Sequence, residues 1–463
     1  MLQRTLTLPL VTLALLSSAL ADTLTLRVTG LPAGLKGVAT VGKVSVPLGG
    51  TATLAAGTYT ITPRAIADGG KVYVAQPVKV TLKGAAAVTV KYVKLPPGSK
   101  DPFFGTGGVR DVNIKGLETT DNWQVNTSGP DAPILTSSGS FRDHTVAMVT
   151  LNGTLLGPVA RVTSNSRPLD NGRDPSPLLR DGTGYLGGVS YLRGTVVRYT
   201  AQGQPDLAWR TTPEIGTYVR GLLRLPDGGV LAYGGQAAPE VWKLSASGQT
   251  DSTFGENGIL SLRGLDDNFK NLGIVNAGRV LLNGTARLVV AKDNKVMLVD
   301  IAQGRATRVA PSLTLPNDVT FPYRVRNITV NADGSTLLVT HNIPKDVSQL
   351  IRLTPSGQID PAFRSPVIDQ VKALSGMAVQ KDGKILAAYT PESDRNGSGL
   401  IIRFNTNGSI DTSWGKQGRV LLADRINALE IANDGKLKVI GAGLAQALKP
   451  DTAYIRITQL LTE

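Results

Sequence analysis

The 463-residue chain contains no cysteine and only two histidines. Disulfides, thiolate metal sites, thiol nucleophiles and cysteine-borne lipid anchors are therefore excluded. His144 and His341 fall in different parts of the chain and read as structural or surface residues, leaving little material for an imidazole metal centre or acid–base pair. Charged residues make up 18% and hydrophobic residues 41%, a balance that fills a core and excludes a disordered polyelectrolyte. Motifs with a built-in mechanism are also missing. There is no Gly-x-Ser-x-Gly elbow, Walker phosphate loop, strand–Gly-x-Gly-x-x-Gly–helix unit or His-Glu-x-x-His pair. Glycine (52) and proline (27) are abundant, which favours many short elements joined by turns.

The N-terminus reads as an address. A single early charge at Arg4, the apolar run Leu6 to Leu16 and the ending Ala19-Leu20-Ala21 have the order of a secretory signal peptide, with cleavage predicted between Ala21 and Asp22. The run is shorter than the roughly 20 residues of a spanning helix, and no later stretch supplies a transmembrane segment. The expectation is an exported chain, periplasmic, cell-surface or extracellular, with a mature charge of +13.

That charge is uneven. Asp22 to Gly98 carries nine basic residues against Asp22 and Asp68, a net +7. The same stretch shows Val- and Thr-rich segments with period-two alternation at Leu24–Val28, Val38–Val46, Tyr59–Thr62, Val72–Val74, Val78–Leu82 and Val88–Val93. A small basic β-sandwich over 22–95 is predicted, followed by a stiff Pro-rich linker at 96–100. Val28-Thr-Gly-Leu-Pro-Ala-Gly34 and Leu54-Ala-Ala-Gly-Thr-Tyr-Thr-Ile61 resemble the small sandwich modules that precede bacterial secreted and surface proteins. The cations read either as a site for an anionic envelope polymer or as alternating strand residues that face water.

From residue 100 onward the chain repeats itself. One half-unit is an apolar strand, a Gly turn, an Asp and an aromatic three residues later, as in Val241 to Asp251 and Phe254, and Ile401 to Asp411 and Trp414. Five of the twelve Phe and Trp residues hold that position: Phe104, Trp209, Phe254, Phe363 and Trp414. The other half-unit is two apolar strands around Asp-Gly, at Asp227, Asp333, Asp382 and Asp434, which predicts type I′ hairpins. Val149–Gly153 and Val275–Gly278 read as weaker copies of it.

Together the half-units resemble the delta-60 repeat of bacterial secreted and surface proteins over most of 101–457. Four short strands per unit imply an all-β propeller of about six blades. Seven result if two apparent insertions, Asn113–Gly139 and Arg161–Gly188, hide a degenerate blade. Asp101 to Gly108 lacks a leading strand, and Tyr454-Ile-Arg-Ile457 is predicted to supply it and close a ring spanning 101–463; an open solenoid is the structural rival.

No catalytic, cofactor or metal residue is assigned, and the binding residues are unknown. Asn405 to Asp411 has oxygen ligands at alternate positions, as in calcium loops, but lacks the closing Glu and equally suits a tight hairpin. Calcium is therefore the one cofactor considered, and none is expected. The Arg- and Asp-rich stretch Arg161–Asp181 reads as a binding loop or a self-paired solvated one. The favoured function is a non-catalytic envelope or extracellular scaffold that recognises a protein or glycan through propeller loops. A hydrolase or lactonase-like enzyme at the central channel, and a structural surface-assembly component, are the alternatives. Nucleic acid is not expected as a partner, since net charge is low in the repeat region.

Overall fold

The computed structural model describes residues 21–115, 124–126, 134–140, 143–163, 178–181, 184–189, 195–210, 219–235, 238–269, 273–292, 294–315, 328–342, 347–391, 398–444 and 452–463. Residues 1–20 of the predicted signal peptide, and 164–177 of the Arg/Asp-rich stretch, lie outside the described residues. The chain divides into two compact units, Met1–Leu95 and Pro96–Glu463.

The first unit holds two sheets. One orders its strands Thr51–Ala55, Ala21–Thr29, Ala86–Lys94, Lys71–Ala75 and Ile66–Asp68; the other orders Val44–Pro47, Val38–Val41, Gly57–Pro63 and Val78–Leu82. Alternation turns one face of each sheet onto a shared core of Leu24, Leu26, Val41, Ile61, Val90 and Tyr92. The segment predicted as one strand, Val38–Val46, is two, because Gly42 takes a positive φ of 59° and folds the chain into a hairpin.

In the second unit the described strands form seven sheets. In chain order their first strands are Gln124–Asn126, Leu178–Asp181, Val219–Arg224, Ile274–Val280, Thr329–Val330, Val371–Val379 and Ala428–Ile431. First strands of successive sheets pack together: Leu178–Asp181 on Val219–Arg224, that strand on Ile274–Val280, and Val371–Val379 on Ala428–Ile431. Apolar clusters fill the spaces between consecutive sheets, for example Leu231, Tyr233 and Phe254 of the third against Leu288, Val290 and Met297 of the fourth. Sheets arranged about an axis and buried on both faces make a β-propeller.

The last sheet is built from both ends of the unit. Its order is Val109–Lys115, Thr452–Leu460, Leu437–Leu444 and Ala428–Ile431, with Val112 opposite Ile455. Its core packs on that of the first sheet through Val112, Ile114, Ile440 and Ile457 against Ala147, Val149 and Leu151.

Three sequence expectations are corrected. The apparent insertions contain strands: Gln124–Asn126 lies within the first and Ile134–Ser140 runs across its end, and Ala160–Thr163, Leu178–Asp181 and Gly184–Val189 lie in or across the second. They were unreadable because that region carries no Asp–aromatic signature before Asp206 and Trp209. Val149–Gly153 is the turn between the third and fourth strands of its sheet, and Gly278 lies inside a strand whose turn is Asn283–Gly284. The Asp-Gly turns are also not type I′. Gly228, Gly334, Gly383 and Gly435 have φ between 77° and 86°, whereas none of the preceding aspartates has a positive φ. Leu225 donates to the Gly229 carbonyl and Gly228 to that of Leu225, so this is a three-residue loop ending in a left-handed glycine.

Candidate functional site

The aspartate of the first half-unit is explained by where its backbone and side chain go. Asp251, Asp360 and Asp411 each donate their N–H to the carbonyl of the residue eight positions earlier, Lys243, Arg352 and Arg403. Their Oδ1 atoms accept the N–H of Thr253, Ala362 and Ser413, which fixes the turn. Their Oδ2 atoms meet the same earlier cation, at 3.2 Å for Lys243, 2.7 Å for Arg352 and 2.8 Å for Arg403. The guanidinium then lies over the ring three residues past the Asp, 4.8 Å from the Phe363 centroid and 5.6 Å from that of Trp414. The third, fifth and sixth sheets are thus each clasped by a cation, an Asp and an aromatic.

The clasp recurs across the seam between the two ends of the unit. Asp101 donates to the Gln459 carbonyl, its Oδ1 accepts the Phe103 N–H, and its Oδ2 accepts from Gln459 Nε2 and Lys436 Nζ. Gln459 therefore occupies, from the far end of the chain, the position held by Lys243, Arg352 and Arg403 in other sheets. Burial works to raise the Asp101 carboxyl, but hydrogen bonds from Lys436, Phe103 and Gln459 outweigh it and hold the group below the usual range. For Asp411 the same contest, with Ser413, Lys384 and Arg403 against burial, ends at about 2.

The aromatics also latch one sheet to the next. Trp209 Nε1 donates to the Ala246 carbonyl and Trp414 Nε1 to that of Leu461, each in the neighbouring sheet. Gly248 is required beside Trp209, since a Cβ there would lie 2.9 Å from the indole. The fourth sheet lacks the clasp: Gln303 and Gly304, both at positive φ, make a two-residue turn in its place. Its third strand carries Asp300 where the third, fifth and sixth sheets carry Lys243, Arg352 and Arg403, and Arg287 on the adjacent strand pairs with it at 2.7 Å and 2.8 Å.

Hairpins and clasps lie together at one end of the strands, and between neighbouring sheets this side of the propeller is grooved. A cavity of about 370 Å³ lies between the third and fourth sheets, lined by Asp227, Lys243, Asp251, Thr253, Phe254 and Gln303. One of about 360 Å³, with Asp333, Ser335, Arg352 and Thr406, lies between the fifth and sixth. One of about 320 Å³, with Asn152, Asn433, Asp434 and Lys438, lies between the last and first.

In the first groove Lys243 Nζ sits 3.0 Å from Asp227 and 3.2 Å from Asp251; hydrogen bonding to Asp227 holds the amine above its ordinary range. In the third groove Lys438 is 2% exposed, donates to Gln459 Oε1 and lies 3.7 Å from the Phe104 centroid. Burial pushes its pKa down to about 8. Such grooves offer paired charges, hydroxyls and backbone polar groups to a polar ligand.

His341 is 6% exposed, and its Nδ1 is 2.9 Å from Ser348 Oγ inside the fifth sheet; the His144 side chain lies outside the described residues. Asn405 Nδ2 and Asn407 Oδ1 bond Ser409, so the oxygens of this turn serve the hairpin. Among the described residues, no group of three or more His, Asp or Glu side chains is placed to hold a metal ion, and no helix is long and apolar enough to cross a membrane. Sequence reading found the clasp Asp and aromatic but missed the cation. The constant spacing of eight, seen again at Arg198 and Asp206, was the signal that could have found it.

A family model described as a domain of unknown function (DUF5122) beta-propeller matches residues 380–413, from the Asp382 hairpin to the clasp at Asp411. No curated protein matches. Among solved structures, a quinoprotein alcohol dehydrogenase-like protein from Bacteroides thetaiotaomicron is 11% identical, covering 86% of this chain and 96% of its own at a TM-score of 0.40. A protein of unknown function from Bacteroides caccae is 13% identical over 62% of this chain and 97% of its own, TM-score 0.37. A proposed 6-phosphogluconolactonase from Bacteroides uniformis is 13% identical over 67% and 91%, TM-score 0.42.

Proposed function

We propose that this chain is an exported, non-catalytic binding protein of the cell envelope or extracellular space, of the delta-60 repeat type. Its first unit is a basic β-sandwich. In its second, seven blades form a ring joined by the C-terminal strand, and this ring recognises a protein or glycan through its grooved hairpin face. The observation that carries the reading is the commitment of the repeat carboxylates: Asp101, Asp251, Asp360 and Asp411 each bind a turn N–H and a cation. Carboxylates held ionised by fixed partners make a rigid platform and are poorly suited to move protons.

Two measurements test it. The N-terminus of protein recovered from outside the cytoplasm should be Asp22. Calorimetric titration with soluble envelope glycans should give saturable binding that Lys381→Ala, at a hairpin tip, weakens, with ligand chain length unchanged on chromatography. Turnover of the glycan would overturn the non-catalytic reading in favour of a hydrolase.

A further inference from the structure

Between residues 22 and 95 all nine cations are exposed, and among the described residues none of them takes part in an ion pair. Register shows which of them share a face. With Leu24, Leu26, Val90 and Tyr92 turned into the core, Arg27 and Lys91 point outward on adjacent strands. Arg27 stands opposite Thr89 and Lys91 opposite Thr29, two residues further along the same face. Thr23 opposite Thr53 and Thr25 opposite Thr51 continue the hydroxyl rows. Lys79 is on the outer face of the other sheet, opposite Thr60.

We propose that the outer face of the sheet containing Arg27 and Lys91 binds a carboxylate-bearing polysaccharide, with the cations meeting uronate-type carboxylates and the threonine rows meeting sugar hydroxyls. Charge complementarity selects a polyanion, since residues 22–95 carry net +7 and, among the described residues, no ion pair engages their cations. The aromatic residues argue against single-stranded nucleic acid. Tyr73 and Tyr92 are 7% and 1% exposed in the core, and Tyr59 packs on that core with its hydroxyl bound to the Ala55 carbonyl, so no ring platform is presented for base stacking. This inference concerns the first unit and stands independently of how the propeller is read.

The test uses the full mature chain and polygalacturonate as probe, with neutral dextran, a single-stranded oligonucleotide and anionic phospholipid vesicles in parallel. Binding of the polyuronate should weaken about 10-fold or more between about 50 mM and 300 mM salt. Arg27→Glu with Lys91→Glu should weaken it about 10-fold, whereas Lys43→Glu with Lys83→Glu, the same charge change placed in turns, should cost about 3-fold or less. If the Glu pair perturbs folding by circular dichroism, Arg27→Gln with Lys91→Gln replaces it, with about 3-fold weakening expected. Equal losses in the two pairs, salt-insensitive binding, tighter binding to oligonucleotide or vesicles, or no binding at low salt would each overturn the proposal.

Discussion

Lys438 supplies the sharpest test of the energetics, because its burial is unfavourable and the size of the penalty can be worked out. The amine is 2% exposed, and burial moves its pKa from the ordinary 10.5 to about 8. A lysine with a depressed folded pKa binds its proton more tightly when unfolded, so stability rises with pH between the folded and unfolded values. At pH 7 the shift corresponds to about 3 kcal/mol of lost stability, and about 2 kcal/mol of that should return by pH 9.5. Tyr199, Tyr233 and Tyr389, raised by burial above the ordinary 10.0, lower stability only at higher pH, so the window is clean among the described groups. Lys438→Met removes the penalty but leaves Gln459 Oε1 without its donor, a cost of about 1–3 kcal/mol. The variant should therefore be as stable as the parent at pH 7, or up to about 2 kcal/mol more stable, with no pH slope. Denaturant unfolding followed by tryptophan fluorescence reads this directly, since all four tryptophans lie in the second unit. A parent stability that stays flat or falls from pH 7 to 9.5, or an unchanged slope in Lys438→Met, would refute the reasoning.

Other expectations follow from the clasps and latches. Asp411→Asn strips the counter-ion from Arg403, which is 3% exposed, and should cost about 3–5 kcal/mol by denaturant titration. Asp411 has its pKa depressed to about 2 from 3.8, so its stabilisation of about 2 kcal/mol is present above pH 4 and lost as pH falls through 2; acid titration of Asp411→Asn should lack that component. Gln459→Ala leaves Asp101, fully buried, with Lys436 and a turn N–H as partners, and should cost about 1–3 kcal/mol in the same unfolding assay. Trp209→Phe and Trp414→Phe each remove one bond between sheets and should cost about 1–2 kcal/mol, most visibly as earlier loss of tryptophan signal on heating.

What could be read from the sequence, and what could not, follows from how each feature is encoded. Asp-Gly turns and the Asp–aromatic step are local, so a strand, a turn and a buried ring could be placed wherever both occurred, as at Asp411 and Trp414. The first sheet was opaque because its clasp is apolar. Leu156 donates its N–H to the Met148 carbonyl as Asp251 does to that of Lys243, so the backbone pattern persists without the charged residues that advertise it. Lys438 was unreadable for another reason. Its burial depends on Phe104, Asn152 and Gln459, which are distant in sequence and meet only where the two ends of the unit share a sheet. The turn type was misjudged because Asp-Gly serves two loop geometries, and side-chain capping from Asp227 to the Gly229 N–H favours the three-residue one.

The fourth sheet separates folding signal from recognition signal. It keeps its place without the Asp and the aromatic, because Arg287 and Asp300 supply an ion pair with its charges reversed along the strand pair, and Arg287 Nη1 also reaches the Gly334 and Pro355 carbonyls of the next sheet. If the clasp were a ligand site, a copy that discards it while preserving an equivalent internal bond would make little sense; if it is a fold element, substitution by another pair is what the physics permits. The consensus residues therefore describe how each sheet is held. Differences among copies fall instead at the hairpin tips, where Pro226, Leu282, Ala332, Lys381 and Asn433 occupy one position, and Leu282 is 92% exposed. Substitutions at those tips should alter ligand binding while leaving unfolding midpoints unchanged, the reverse of what substitutions at the clasps should do.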